Sequence, residues 1–267
     1  MRTLTVPIPG SRSCPICESS PCFAFKAKHI PVLKCGNEDC GHIYAATATP
    51  MQGVQTHFDP EAECQQYALR NVGLVKFLRR AGFVGPGSRF LDIGAGAGHV
   101  AMAIRSAFPS VDITCVEADP SANSWLQNNA FVTKKYLEDC DGTFGSICMI
   151  EVLEHVDDPI SVLKKVNKLL ATNGSFFITT PCGQTTTGRI VDEAYETPEH
   201  VHFFTEKSLG IALRAAGYVT PRFQTLRHMY HVKGGRFVVL NAVKDVARFF
   251  RAKILGQHQL VTFVNRG

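Results

Sequence analysis

A chain of 267 residues, 45% of them hydrophobic and 19% charged, carries enough apolar side chains for one sizeable core plus a small appendage, which excludes a disordered chain. The formal net charge of +5 is spread along the sequence rather than run together, so an anionic partner is permitted but not required. No stretch reaches the roughly 18 uninterrupted apolar residues of a spanning helix, and the opening Met1–Gly10 has no apolar core after Arg2, so a cytoplasmic protein is expected. In a reducing compartment the ten cysteines then read as metal ligands where clustered and as core where scattered.

Cys14-Pro15-Ile16-Cys17 and Cys35 to Cys40 form two short knuckles about one hairpin apart, the arrangement that brings four thiolates onto one zinc. Residues 10–48 therefore read as a zinc ribbon with Cys14, Cys17, Cys35 and Cys40 as ligands, and Cys22 and His42 stand nearby as substitutes. So short a segment has almost no core, and a structural zinc would supply its folding free energy. Residues 1–48 are assigned to the ribbon and 49–267 to the main domain.

From Tyr67 to Leu78 apolar residues recur at helical spacing up to Gly82. Apolar runs at Phe90–Ile93, Ile113–Glu117, Gly145–Ile150 and Ser175–Thr179 then alternate with helical patterns, which specifies a parallel sheet with helices on both faces. A helix over Val162 to Leu170 is expected to stop at Asn173-Gly174, and another to run from Thr205-Glu206 to Gly217. Strands near Tyr218–Leu226 and Leu260–Asn265 complete the sheet. Between them, residues 232–256 read as a basic amphipathic helical insertion: a cover or dimer contact, or a surface for a lipid-linked acceptor at the membrane face.

Asp92-Ile93-Gly94-Ala95-Gly96-Ala97-Gly98 lies between a strand and a helix, where glycines permit a tight turn and close approach of a nucleotide-like ligand. Asp92 can reach a polar head group and Glu117, ending the next strand, can accept both ribose hydroxyls. Gly96 to Ala101 also satisfies the dinucleotide pattern with Ala last, so these residues alone leave a dehydrogenase open.

The order Asp92-x-Gly94-x-Gly96-x-Gly98, Glu117, Leu137-Glu138-Asp139 and Phe144 to His155 follows the class I methyltransferases. Glu151 to Pro159 and Pro198 to Thr205 resemble the ubiquinone-biosynthesis O-methyltransferase group, and the similarity runs over about residues 60–267. The resemblance implies a doubly wound, mostly parallel seven-stranded sheet binding S-adenosylmethionine. Gly94, Gly96 and Gly98 would contact its methionine part, Glu117 the ribose, and Leu137 with Glu138 the adenine; Trp125 would pack beside the adenine.

Glu151, Glu154 and His155 fall at i, i+3 and i+4, one face of a helix if a helix begins there. The same segment with a later His resembles the divalent-cation site of the ubiquinone O-methyltransferases and of small-RNA 3′-end 2′-O-methyltransferases, with His200 as fourth ligand and His202 next. Mg²⁺ or another divalent cation would there activate an acceptor hydroxyl; without it His155, His200 or His202 could act as general base. The expected function is O-methylation of a small acceptor, a sugar, polyketide or phenolic. The alternative is an RNA methyltransferase docking RNA through the ribbon, against which stand the modest charge and the lack of a basic, aromatic-interleaved patch.

Overall fold

Successive strand residues point to opposite faces of a sheet, and in the computed structural model this alternation builds two cores. The structure describes residues 11–27, 30–47, 59–64, 74–75, 78–79, 82–85, 87–184, 199–223 and 259–266. In chain order the elements are β1 (Pro21–Ala27), β2 (Ile30–Cys35), β3 (Ile43–Ala45), β4 (Arg89–Ile93), α1 (His99–Ala107), β5 (Asp112–Val116), α2 (Pro120–Asn128), β6 (Val132–Lys134) and β7 (Phe144–Ile150). They continue with α3 (Pro159–Leu169), β8 (Leu170–Pro181), β9 (His202–Phe203), α4 (Glu206–Ala215), β10 (Tyr218–Phe223) and β11 (Gln259–Arg266).

The main sheet has the order β10-β11-β8-β7-β4-β5-β6, parallel except where β11 pairs antiparallel with β8 and with β10. Leu91, Ile147, Met149, Phe176 and Ile178 point into one core with Leu163 and Val166 of α3 and Leu209 and Leu213 of α4. Phe90, Ile113, Cys115, Cys148 and Phe177 point into the other, with Val100 and Ile104 of α1 and Leu126 of α2. Helices thus cover both faces, and the doubly wound expectation holds. Helix starts are fixed locally: Asp119 accepts from the amides of Ser121 and Ala122, and Asp158 from that of Ser161, each followed by proline at the first helical position.

A second, four-stranded sheet has the order β1-β2-β3-β9. Its last strand comes from the main domain, through Ile43↔Phe203 and Tyr44↔His202. Cys14, Ile16, Leu33 and Tyr44 share the core of α3 and α4, so the cysteine-bearing segment packs on that face.

Two features differ from the reading of the sequence. The helix ends at Leu169 and the chain enters β8 at Leu170, so Asn173-Gly174 is no helix stop. Asn173 has φ 63, and a Cβ on Gly174 would meet the Ala171 oxygen at 2.9 Å. The pair instead makes an irregularity in the β7–β8 ladder, where the register slips between Phe144 and Ser146. The short edge strand β6 was not foreseen. The insertion at 232–256 and most of the helix from Tyr67 lie outside the described residues, although Leu74 and Leu78, four apart, are buried. Among the described residues no helix is long and apolar enough to cross a membrane.

Candidate active site

The chain runs from β4 out to β5 on one side, then returns to place β7 on the other side of β4. Open α/β sheets bind ligands outside the carboxyl ends of strands at such a switch point. The turn after β4 and the turn after β7 both lie here, and they touch: a Cβ on Gly94 would come within 2.3 Å of Val152 Cγ2.

The first turn is pinned by its own backbone. The amides of Gly94 and Ala95 both donate to the Val116 carbonyl, at 2.9 and 3.1 Å. Gly96, at φ 53, donates its amide to Glu117 Oε2 at 2.7 Å, while Glu117 Oε1 accepts from the Asp119 amide at 2.8 Å. A Cβ on Gly96 would meet nothing within 4 Å, so the loop opens at this position. Each carboxylate oxygen of Glu117 retains a further lone pair for a ligand hydroxyl. Trp125 donates its indole N–H to the Ala97 carbonyl at 3.1 Å, and the Cys64 thiol donates to the same oxygen at 3.1 Å. Asp92 lies under the turn, where its Oδ1 accepts from the Cys148 thiol at 3.0 Å and its buried Oδ2 has no hydrogen-bond partner. Burial raises its pKa to about 6. Leu137 and Glu138 lie in a 3-10 turn at Leu137–Asp139, with Leu137 against the α3/α4 core and the exposed Glu138 paired with Lys165 of α3.

The second turn is tighter than expected. Instead of an α-helix, only Leu153–His155 forms a 3-10 turn, and Glu151 precedes it at φ 56. Non-glycine residues held there cost roughly 1 to 3 kcal/mol and persist where surroundings over-determine them. Here the Glu151 amide donates to the Thr179 carbonyl at 3.0 Å and its Oε1 accepts from Thr179 Oγ1 at 2.8 Å. Glu154 is fully buried: Oε2 accepts from Thr180 Oγ1 at 2.9 Å, and Oε1 lacks a hydrogen-bond partner but stands 4.0 Å from His200 Nε2. The Val201 amide donates to the Glu154 carbonyl at 2.8 Å and draws the His200 segment over the turn. The rings of His155 and His200 meet edge-on, 4.7 Å between centroids.

Ligand atoms of Glu154, His155 and His200 all lie within 4.8 Å of one another, a spacing that could hold a metal ion. Glu151, expected as a fourth member, is not in that group and is tied to Thr179. Burial, then the charge of Glu151, raises the Glu154 carboxyl well above its usual range. Burial, then the charge of His200, lowers His155 to about 4. Thr179 and Thr180 were missed in the sequence, where Thr179 read only as the end of a strand and Thr180 lay just beyond it.

Cys14, Cys17, Cys35 and Cys40 converge in the same way, with Sγ–Sγ distances of 3.9 Å for Cys14–Cys40 and 3.4 Å for Cys17–Cys35. Thiolates about 2.3 Å from a tetrahedral zinc stand about 3.8 Å apart, so this donor set fits that ion. Burial pushes Cys35 up to about 12. A bound cation would overcome that and hold it as thiolate. The substitutes are engaged elsewhere: Cys22 donates to the Cys35 carbonyl at 3.5 Å, and His42 uses both ring nitrogens, on Ser208 Oγ at 3.2 Å and His202 Nδ1 at 3.1 Å. His202 is likewise removed as a candidate ligand or base, because its Nε2 meets the Val156 carbonyl at 2.8 Å.

A family model described as a methyltransferase domain matches residues 65–220. The ubiquinone biosynthesis O-methyltransferase of Xanthomonas campestris pv. campestris is 28% identical over 106 residues, covering 36% of this chain. The match spans 44% of that relative, less than half its length. Among solved structures, a plantazolicin methyltransferase in complex with a triazolic analogue and SAH gives a TM-score of 0.53 at 14% identity, over 76% of this chain and 87% of the other. Coclaurine N-methyltransferase bound to N-methylheliamine and SAH gives 0.51 at 12% identity, over 79% and 88%. At these identities the two structures share the fold.

Proposed function

Because the chain belongs to the methyltransferase-domain family, we propose that it is an S-adenosylmethionine-dependent methyltransferase acting on an oxygen of a small-molecule acceptor. The observation that carries this reading is the contact of Gly94 with Val152. It sets a loop built around Glu117 directly beside the Glu154, His155 and His200 cluster, so donor and acceptor would meet over the ends of β4 and β7. SAH in the two structural neighbours and the name of the ubiquinone relative support the donor and a small acceptor over RNA.

The chain's residues divide the work. The open face at Gly96 and the free lone pairs of Glu117 would hold the ribose and methionine parts of the donor, while Asp92 lies buried close by against Cys148. Leu137 offers an apolar edge for the adenine; Glu138 would have to leave Lys165 to reach it. Glu154, His155 and His200 would bind a divalent cation, with Glu151 held nearby. Without a cation the buried acid and the buried imidazole each favour their neutral forms, and a positive ion is what reverses the preference of the acid. Such an ion lowers the pKa of an acceptor hydroxyl. The chain's part is to hold the donors fixed and keep the reacting oxygen in line with the methyl group. At about 4, His155 is a poor general base at neutral pH. In the ribbon, Cys14, Cys17, Cys35 and Cys40 would hold a structural zinc.

Radiolabelled methyl transfer into acceptor extracts, with and without chelator, tests this reading. Turnover should vanish when divalent ions are removed while donor affinity stays within about twofold. An unchanged rate under chelation, with His200→Ala costing roughly 10²-fold, would replace the cation by a histidine base.

A further inference from the structure

His42 and His202 take no part in either donor set, yet both are buried, 0% and 1% exposed, and they link them. A backbone carbonyl can only accept, so the 2.8 Å contact to the Val156 oxygen places the proton of His202 on Nε2. Its Nδ1 is then an acceptor, and His42 Nε2 donates to it across 3.1 Å. The remaining nitrogen, His42 Nδ1, accepts from the Ser208 hydroxyl at 3.2 Å. The result is a one-way chain from α4 through the cysteine-bearing segment to the residue just after His155. Backbone contacts run alongside it: the Ala45 amide donates to the Val201 carbonyl at 3.0 Å, and Val201 donates to Glu154. Arg12 reaches the Asp157 carbonyl at 3.3 Å from the same side. His42 also stacks on Tyr44, with ring centroids 5.8 Å apart.

We propose that His42 and His202 are positioning residues, a buried strut through which β3 of the cysteine-bearing segment holds the Leu153–Val156 turn and the His200 segment in register. Two histidines that only filled space would tolerate phenylalanine, which keeps the ring contacts. A strut would not, because its hydrogen bonds fix one arrangement of the turn. The catalytic consequence rests on the proposed role of Glu154, His155 and His200; the strut itself does not.

Amide exchange in the full chain, followed by NMR at His155 and Val201, separates the two. His42→Phe and His202→Phe should each raise exchange at both amides by about tenfold or more, and the double variant should add little, since each breaks the same strut. His42→Gln, which keeps a donor at the Nε2 position, should restore protection to within about threefold. Turnover should fall in the phenylalanine variants with the KM for the methyl donor unchanged, because the donor loop is held elsewhere. Should His42→Phe not fold, His202→Gln against His202→Phe makes the same comparison, as glutamine keeps the donor to Val156. Exchange within twofold of the parent in a folded phenylalanine variant, or a glutamine variant as unprotected as phenylalanine, overturns the strut. Raised exchange with unchanged turnover upholds the strut and refutes instead the catalytic role given to the turn.

Discussion

Asp92 sits buried between the loop after β4 and Cys148, with one carboxylate oxygen unpartnered. Burial raises its pKa from 3.8 to about 6. Between those values the folded chain keeps a proton that the unfolded chain has released, so this stabilisation is present below about pH 4 and is lost as pH rises through 6. The loss is on the order of 2 to 3 kcal/mol. Urea unfolding of the parent and of Asp92→Asn at pH 4.5 and 7.5, without donor, checks it: part of the loss has already occurred at pH 4.5, so the difference between the two proteins should shift by about 2 kcal/mol in favour of the asparagine at the higher pH. The loop glycines should divide by role. Gly98→Ala would set a methyl 2.4 Å from Leu126 Cδ2 at φ 75 and should cost about 2 to 4 kcal/mol of stability. Gly96→Ala faces open space, so it should cost only the roughly 1 to 2 kcal/mol of its left-handed backbone, yet weaken donor binding about tenfold or more. Thermal melts with donor titrations would distinguish the pair.

At the level of elements, the pairing of β3 with β9 makes the cysteine-bearing segment part of the wall behind His200. Elemental analysis of protein purified without added metal should find one zinc per chain, and Cys35→Ser should abolish stoichiometric zinc. Well-folded parent protein without zinc would refute the ribbon assignment. The strands β4, β5, β7 and β11 were legible because each is an apolar run, and the four cysteines because two short spacings suffice to converge them. What was not legible depends on contacts made across the chain. The 3-10 turn at Leu153–His155 replaces a helix because Thr179 holds Glu151 in a left-handed conformation, and no local pattern announces that. His202 stood next after His200 for the later histidine that the resemblance implies, but strand pairing with Tyr44 turns it to His42. Glu138 read as an adenine contact by its place in the motif, and Lys165, a helix away, holds it in this structure.

Across the whole molecule, two cores on opposite faces of one sheet fix the ends of β4 and β7 side by side. The cysteine-bearing segment braces the turn beyond β7 from the α3/α4 face. On the proposed reading the donor half would depend on Gly96 and Glu117, and the acceptor half on Glu154, His155 and His200, so the halves should fail independently. Calorimetric titration of S-adenosylmethionine into the parent, Glu117→Ala and Glu154→Gln tests this most directly. The parent should bind one donor per chain, Glu117→Ala should weaken binding by about 1.5 to 3 kcal/mol, the range for a hydrogen bond to a charged group, and Glu154→Gln should match the parent. Binding of NAD with no binding of S-adenosylmethionine, or an unchanged dissociation constant in Glu117→Ala, would contradict it.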